Sequence, residues 1–138
     1  MLLLISFTVL YANHIKWQWH YEKALQEAQK NHKVLMVLLI KNNCSQCKKL
    51  MIKLFMNQKY IDTLNQNVIA IIVNPDTTQN FPREMYWSTN YPTLFFVNSA
   101  DETFLQAPLY NPTQQDIDKT CSNFFNNFSV PKLSLTQE

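Results

Sequence analysis

The spacing of apolar residues first predicts an amphipathic helix close to the start of the chain. Apolar side chains recur at i, i+4, i+7, i+8 and i+11, a spacing that puts them on one face of a helix; they are Trp17, Tyr21, Ala24, Leu25 and Ala28. Charged and amide side chains occupy the positions between them, as on a face turned to solvent. The pattern therefore predicts a helix over residues 17–32.

Two uninterrupted apolar runs, residues 34–40 and 68–73, predict strands that are covered on both faces. Between them a second helical pattern opens at Cys44, and a further turn or two carries Ile61 and Leu64. Two buried strands joined by a helical crossover form a βαβ unit with parallel pairing. The apolar positions of the second helix keep the 3.6-residue period; they are Cys47, Leu50, Met51, Leu54 and Phe55.

The second half of the chain predicts a hairpin followed by a helix. Residues 93–97 form a third strand, and a turn at 98–101 leads into a fourth strand over residues 103–109. Residues 82–88 are predicted to form a short helix before this hairpin. Either Thr113 or Asp116 is placed to cap a last helix, which turns its apolar face to the core through Ile117, Thr120, Cys121, Phe124 and Phe125.

These elements predict an α/β fold of three layers with one mixed four-stranded sheet and an extra helix at the N-terminal side. The strand over residues 34–40 is expected at the centre of the sheet, with the four strands in the spatial order 2-1-3-4. A chain of 138 residues with 46% apolar and 16% charged residues has the size and composition of one globular domain.

Charge and composition exclude several functions. The net charge of +2 is too small to indicate a nucleic-acid-binding surface. The chain contains no glycine, so it lacks the glycine-rich loops that bind nucleotide phosphates. Asparagine is the residue that next best tolerates a positive φ, and it is expected to replace glycine in turns; the candidates are Asn42, Asn43, Asn90, Asn98, Asn111, Asn126 and Asn127.

The N-terminal residues 1–12 have the features of a secretory signal. Residues 2–12 are apolar and uncharged, too short to span a bilayer, and end at Ala12 as the candidate cleavage site. A buried first strand is the alternative. Export, to the periplasm or another oxidising compartment, leaves a mature domain over residues 13–128 and a loosely ordered tail over 129–138; without cleavage the protein is expected in the cytoplasm.

The chemistry of the chain is concentrated in Cys44-Ser45-Gln46-Cys47, which directly follows a buried strand and opens a helix. A helix N-terminus and a CxxC motif can lower a cysteine pKa from about 8.5 to roughly 3.5–7.5. Cys44 is therefore expected to be the nucleophile that attacks a disulfide. Cys47, one turn deeper, is expected to resolve the mixed disulfide, so that no cofactor or metal is needed.

Other interpretations of this motif stay open at the level of sequence. The two cysteines can form an inert structural disulfide, or a binding module of the same fold can carry a soft metal such as Cu(I) on both thiolates. Half of a zinc site is a further possibility, completed by Cys121 and one histidine among His14, His20 and His32. The simplest expectation for Cys121 is a core thiol, and for the three histidines exposed positions.

Together with the segment from Tyr91-Pro92-Thr93 to Val97, the CxxC motif makes the chain resemble the thioredoxin superfamily over about residues 15–127. The helix ahead of the CxxC strand resembles an exported thioredoxin-like subgroup. The resemblance implies a thioredoxin fold, a cis peptide at Pro92, and binding of an extended substrate by Tyr91 and Pro92. It also implies protein thiol or disulfide substrates and a redox partner that recycles the enzyme.

The chain also departs from thioredoxins proper, which carry WCGPC. Asn43 replaces the tryptophan, Ser45-Gln46 replaces Gly-Pro, and Leu38 stands where the family has a buried aspartate that helps to move a proton. The resemblance includes neither the large helical insertion of strongly oxidising relatives nor a dimerisation domain. These departures favour a specialised, monomeric reductase. Tyr86 and Trp87 are expected in the core, with a position beside Cys44 as the alternative.

Overall fold

A computed structural model describes residues 13–125. The elements come in the predicted order, except that two separate helices connect the first two strands and the short helix predicted over residues 82–88 is absent. The helices are α1 (Tyr21–Lys30), α2 (Ser45–Lys53), α3 (Gln58–Asn67) and α4 (Gln114–Phe124), and the strands are β1 (Val34–Leu39), β2 (Val68–Val73), β3 (Thr93–Val97) and β4 (Leu109–Tyr110).

The four strands form one mixed sheet in the order β2-β1-β3-β4. β1 pairs with β2 in parallel, from Val34 opposite Val68, and with β3 in antiparallel fashion, with Leu39 opposite Thr93. β3 and β4 are antiparallel. The predicted strand order and the central position of β1 are thus confirmed.

Side chains of β1 alternate between the two faces of the sheet because successive residues of a strand point in opposite directions. On one face Leu35, Val37 and Leu39 pack with the buried side of α1. On the other face Met36 and Leu38 pack with residues of α2, α3 and α4. The molecule is therefore a three-layer α/β thioredoxin fold, as the sequence predicts.

The predicted start of the first helix is wrong. α1 begins at Tyr21, and Trp17 lies on the opposite face of the sheet, edge-on to Phe55 at 5.1 Å between ring centroids. The preceding residues are extended instead: the Gln18 amide donates to the Ala70 carbonyl, and its carbonyl accepts from the Ile72 amide. These bonds to the free edge of β2 hold Trp17 outside the helix.

Two other predicted elements need correction. Residues 82–88 form a turn, in which the Met85 and Tyr86 amides both donate to the Pro82 carbonyl, and no helix. Residues 89–92 then bend before β3, and the proline at position 92 disfavours helical geometry at Tyr91. The fourth strand is also shorter than residues 103–109.

Within that predicted fourth strand, Phe104 forms an isolated bridge to Val97, and regular pairing resumes only in β4. Pro108 directly precedes β4 and has no amide proton to donate to a neighbouring strand. The interruption of the strand follows from that missing donor and from the bend at residues 105–106.

The predictions for the two ends of the chain lie outside the described residues. The proposed signal peptide at 1–12 and the proposed tail at 129–138 both fall there, together with Asn126 and Asn127. Across residues 13–125, no helix combines the length and the apolar character needed to cross a bilayer.

Candidate functional site

The CxxC motif lies at the junction between the central strand and α2. After β1 the chain turns through Lys41–Asn43, and Asn43 takes the left-handed conformation with φ 55°. Cys44 is the N-cap of α2, and its sulfur accepts a hydrogen bond from the Cys47 amide at 3.1 Å. The side chain of Cys44 thus occupies the position where a helix offers free amide protons and the positive end of its dipole.

Cys44 and Cys47 are joined by a disulfide bond, with their Cα atoms 5.3 Å apart. Only 8% of Cys44 and 5% of Cys47 is exposed. Both nevertheless border an open groove of about 450 Å³, whose lining includes Ile40, Met51 and Ile52. The disulfide is therefore shielded on most sides and approachable from one.

Tyr91 and Pro92 lie next to residues 41–44, the segment that leads from β1 into the CxxC motif and is called the redox loop below. Because Leu39 pairs with Thr93, the residues that precede β3 run beside those that follow β1. The Tyr91–Pro92 peptide bond is cis, and the Nζ atom of Lys41 lies 5.0 Å from the centroid of the Tyr91 ring. These contacts bring Tyr91 and Pro92 to the same edge of the sheet as the CxxC motif, whereas their part in substrate binding stays a prediction.

A polar network that the sequence did not predict supports the redox loop. The side chain of Asn42 accepts from Nδ2 of Asn74 at 3.0 Å, and the Asn42 amide donates to Asp76 at 2.9 Å. Asn74 is buried, and its amide donates to Oε1 of Gln79 at 2.8 Å. Asn42 lies more than thirty positions from Asn74 and Asp76 along the chain, so no local sequence pattern indicates these contacts.

The remaining candidates fall into the core or onto the surface. Cys121 is a free thiol with no exposed surface, and burial, followed by the negative charge of Asp118, raises its pKa to about 12. His14, His20 and His32 are exposed, as predicted. The zinc site considered for Cys44, Cys47, Cys121 and a histidine is not assembled: within residues 13–125 no three His, Cys, Asp or Glu side chains are grouped so that they could hold a metal ion.

Tyr86 and Trp87 separate. Tyr86 is buried in the core on the α1 side of the sheet, 2.7 Å from Tyr21 between hydroxyl oxygens, and burial raises its pKa to about 12. Trp87 is 71% exposed. The core expectation is therefore confirmed for Tyr86 and wrong for Trp87, which follows the turn at residues 83–85 on the surface.

Leu38 has no exposed surface and lies in the core beneath α2. The absence of an aspartate at this position leaves only apolar packing at that point of β1. Any proton transfer that accompanies disulfide exchange must therefore involve water or another group.

Comparison with solved structures finds proteins of the same fold. The DsbH oxidoreductase is 17% identical, with 88% of this chain and 92% of that chain covered and a TM-score of 0.66. A proposed disulphide-isomerase from Bacteroides thetaiotaomicron is 22% identical, with 84% and 98% covered and a TM-score of 0.68. A thioredoxin from Thermus thermophilus is 18% identical, with 81% and 91% covered and a TM-score of 0.61.

Among curated proteins, none matches the sequence of this chain. The family model of the thioredoxin-like domain, in contrast, matches residues 21–124, which run from the start of α1 to the end of α4. This match includes the CxxC motif, the cis-proline segment and all four strands. The chain therefore belongs to the thioredoxin-like domain family.

Proposed function

We propose that this protein is a thiol–disulfide oxidoreductase that reduces disulfide bonds of other proteins. The observation that carries the proposal is the Cys44–Cys47 disulfide at the first turn of α2, where the Cys47 amide donates to the Cys44 sulfur. The same amide and the helix dipole stabilise negative charge on Cys44 once the disulfide is reduced. Cys44 is thus the nucleophile, and Cys47 is the resolving cysteine.

The reaction begins with the Cys44 thiolate, which attacks one sulfur of a substrate disulfide. The Cys44–substrate bond forms, the substrate disulfide breaks, and the leaving thiolate takes a proton from water. Cys47 then loses its proton to water, since Leu38 provides no acid or base, and attacks the Cys44 sulfur. The second substrate thiolate leaves, so the substrate gains two electrons and the enzyme is left with the disulfide of the structure.

The substrate chain is proposed to lie across Tyr91 and Pro92, whose loop contacts the redox loop through Lys41. A recycling partner that supplies two thiols must reduce the Cys44–Cys47 bond after each turnover. The apolar segment 1–12 supports export, and the protein is proposed to act as a monomer. Cleavage after Ala12 is checked by the mass of the protein recovered outside the cytoplasm.

Insulin reduction in the presence of a chemical dithiol tests the activity. Cys44→Ser should abolish turnover, and Cys47→Ser should accumulate a covalent mixed disulfide, whereas Cys121→Ser should retain activity because that thiol is buried. A reduction potential near about −270 mV supports a reductase, and one near about −120 mV an oxidant.

The test also addresses the metal-carrier alternative. Retained insulin reduction by Cys44→Ser, or failure of Cys47→Ser to trap any disulfide substrate, contradicts the proposal. Copurification of the reduced protein with about one equivalent of Cu(I), lost in Cys44→Ser, together with absent turnover, establishes the carrier instead.

A further inference from the structure

Helix α2 separates two open grooves that both border the redox motif. The first groove, next to Cys44 and Cys47, has apolar walls of Ile40, Met51 and Ile52. Lys41 and Lys48 also line it, and Ile52 is 64% exposed. A protein segment that brings its disulfide to Cys44 through this groove passes beside these two lysines.

The second groove lies on the other side of α2 and has a volume of about 620 Å³. Its α2 wall includes Gln46, Lys49 and Lys53, and its opposite wall is the segment 111–114, which leads into α4. This groove contains two more lysines on its α2 wall, beside the side chains of Leu50 and Leu54. Each side of the redox helix is thus lined by a pair of lysines: Lys41 and Lys48 on one side, Lys49 and Lys53 on the other.

Within residues 13–125 none of these four lysines forms a salt bridge with a carboxylate. The salt bridge found in that part of the chain joins Lys59 to Asp118. Two carboxylates, Asp76 and Asp116, belong to segments near the grooves, and each accepts from a backbone amide instead of pairing with one of the four lysines. Asp76 accepts from the Asn42 amide at 2.9 Å and Asp116 from the Thr113 amide at 2.8 Å.

We propose that these four lysines make the protein selective for disulfides whose neighbouring residues are acidic. The inference rests on the proposed function and names the substrate class of the same site. Complementary charge raises the association rate by 10-fold to about 1,000-fold, and salt weakens it. Nucleic acid is a poorer occupant because the groove nearest the cysteines has apolar walls and the chain has a net charge of only +2.

Three synthetic peptides provide the test. Each contains one intramolecular cystine, and they differ only in the residues that flank it: glutamate, glutamine or lysine. The rate constant for reduction by the dithiol protein is measured with each peptide at low and high salt and divided by the rate constant of dithiothreitol with the same peptide. This ratio removes the intrinsic reactivity of each disulfide. Bis(2-hydroxyethyl) disulfide serves as the uncharged small substrate.

We expect the ratio of rate constants to be about tenfold higher for the glutamate peptide than for the glutamine peptide at low salt, and lowest for the lysine peptide. The preference should largely disappear at about 0.5 M NaCl, where the Debye length falls below about 5 Å. Lys48→Gln/Lys49→Gln should reduce the preference about threefold. The matched control Lys23→Gln/Lys30→Gln removes the same charge from α1, on the opposite face of the sheet, and should preserve it.

The outcomes separate the two proposals. Equal rate constants for the glutamate and glutamine peptides, with normal reduction of the small disulfide, overturn the acidic-substrate proposal and leave the oxidoreductase intact. A preference for the glutamate peptide that falls equally in both double variants also overturns it, because the net charge of the protein, and not the lysines of the grooves, then determines the preference. Failure to reduce any of the disulfides overturns the oxidoreductase itself. Preferential binding of a single-stranded oligonucleotide over the glutamate peptide assigns the lysines to nucleic acid instead.

Discussion

Asn43 gives the chain the backbone conformation that the redox loop requires. Within residues 13–125 the residues at positive φ all carry side chains, since the protein has no glycine. Asn43 and Asn111 are among the asparagines expected there, because Asn tolerates this conformation best after Gly. His32 and Glu102 also adopt it. His32 follows the C-cap of α1, where the Lys33 amide donates to the Ala28 carbonyl, and Glu102 lies in the turn after β3, where its amide donates to the Asn98 carbonyl. Composition alone could not have predicted either position.

Substitution of Asn43 tests this conformational role. Asn43→Ala should lower the free energy of unfolding by about 1 kcal/mol, because alanine keeps the Cβ atom that crowds the following carbonyl oxygen at positive φ but lacks the short polar side chain that offsets this cost in asparagine. Asn43→Gly should change it by less than about 0.5 kcal/mol, since glycine has no Cβ. Urea unfolding of both oxidised variants measures the difference. Equal stability of the two variants contradicts a conformational role for this residue.

The buried thiol of Cys121 makes the free energy of unfolding depend on pH. Its folded pKa of about 12 lies above the value of about 8.5 for an unfolded cysteine, so the folded state holds the proton more tightly. The contribution of this thiol to the stability of the folded state is complete below about pH 8.5 and is lost as the pH rises toward 12. Between pH 8.5 and 10 the unfolding free energy should fall by about 2 kcal/mol from this thiol.

Urea titrations of the oxidised protein between pH 7 and 10 measure this slope, because Cys44 and Cys47 are bonded and do not titrate. Cys121→Ala removes the titrating thiol and should flatten the decline over this range, although it also lowers stability at pH 7 through the smaller side chain. An unchanged slope in Cys121→Ala shows that another group causes the decline.

The elements predicted most accurately are the strands formed by uninterrupted apolar runs, whose sequence pattern indicates burial on both faces. β2 and β3 have the predicted bounds, and β1 ends one residue early, because continuous apolar runs of strand length have few other ways to be buried. Trp17 shows the limit of periodicity. Its spacing fits the face of α1, yet the free edge of β2 binds Gln18 and holds this segment extended. A pairing between residues more than fifty positions apart leaves no local pattern.

The start of α4 offers a prediction at the scale of one element. Thr113 and Asp116 together form a capping box, in which the threonine hydroxyl accepts from the Asp116 amide and the carboxylate accepts from the Thr113 amide. Thr113→Ala should therefore lower the unfolding free energy by about 1 kcal/mol. Thr113→Ser keeps the hydroxyl and should lose less than half of that. Equal losses in the two variants indicate a role for the methyl group instead of the cap.

At the scale of the whole molecule, the sequence predicted the reactive atoms of the site better than their surroundings. The CxxC spacing and the preceding strand identify Cys44 and Cys47 directly. The grooves beside α2 form where α2 meets β2 on one side and the start of α4 on the other, so their lysines are adjacent only in the folded chain. For the same reason the network that joins Asn42, Asn74 and Gln79 was not predicted.

Gln79 is where this network joins three segments of the fold. Its amide nitrogen donates to the carbonyls of Trp19 and Ile72, both at 2.7 Å, and its oxygen accepts from the Asn74 amide. Gln79→Ala leaves these three backbone groups without their partner, and each buried unsatisfied group costs about 1–3 kcal/mol. We therefore expect a loss of at least about 2 kcal/mol in unfolding free energy, whereas Gln26→Ala on the exposed face of α1 should change it by less than about 0.5 kcal/mol.

Because Asn74 in turn donates to Asn42, Gln79→Ala should also slow reduction of bis(2-hydroxyethyl) disulfide by the dithiol protein. A Gln79→Ala variant as stable as Gln26→Ala contradicts the bracing role of Gln79. A destabilised variant with the normal rate confines that role to folding.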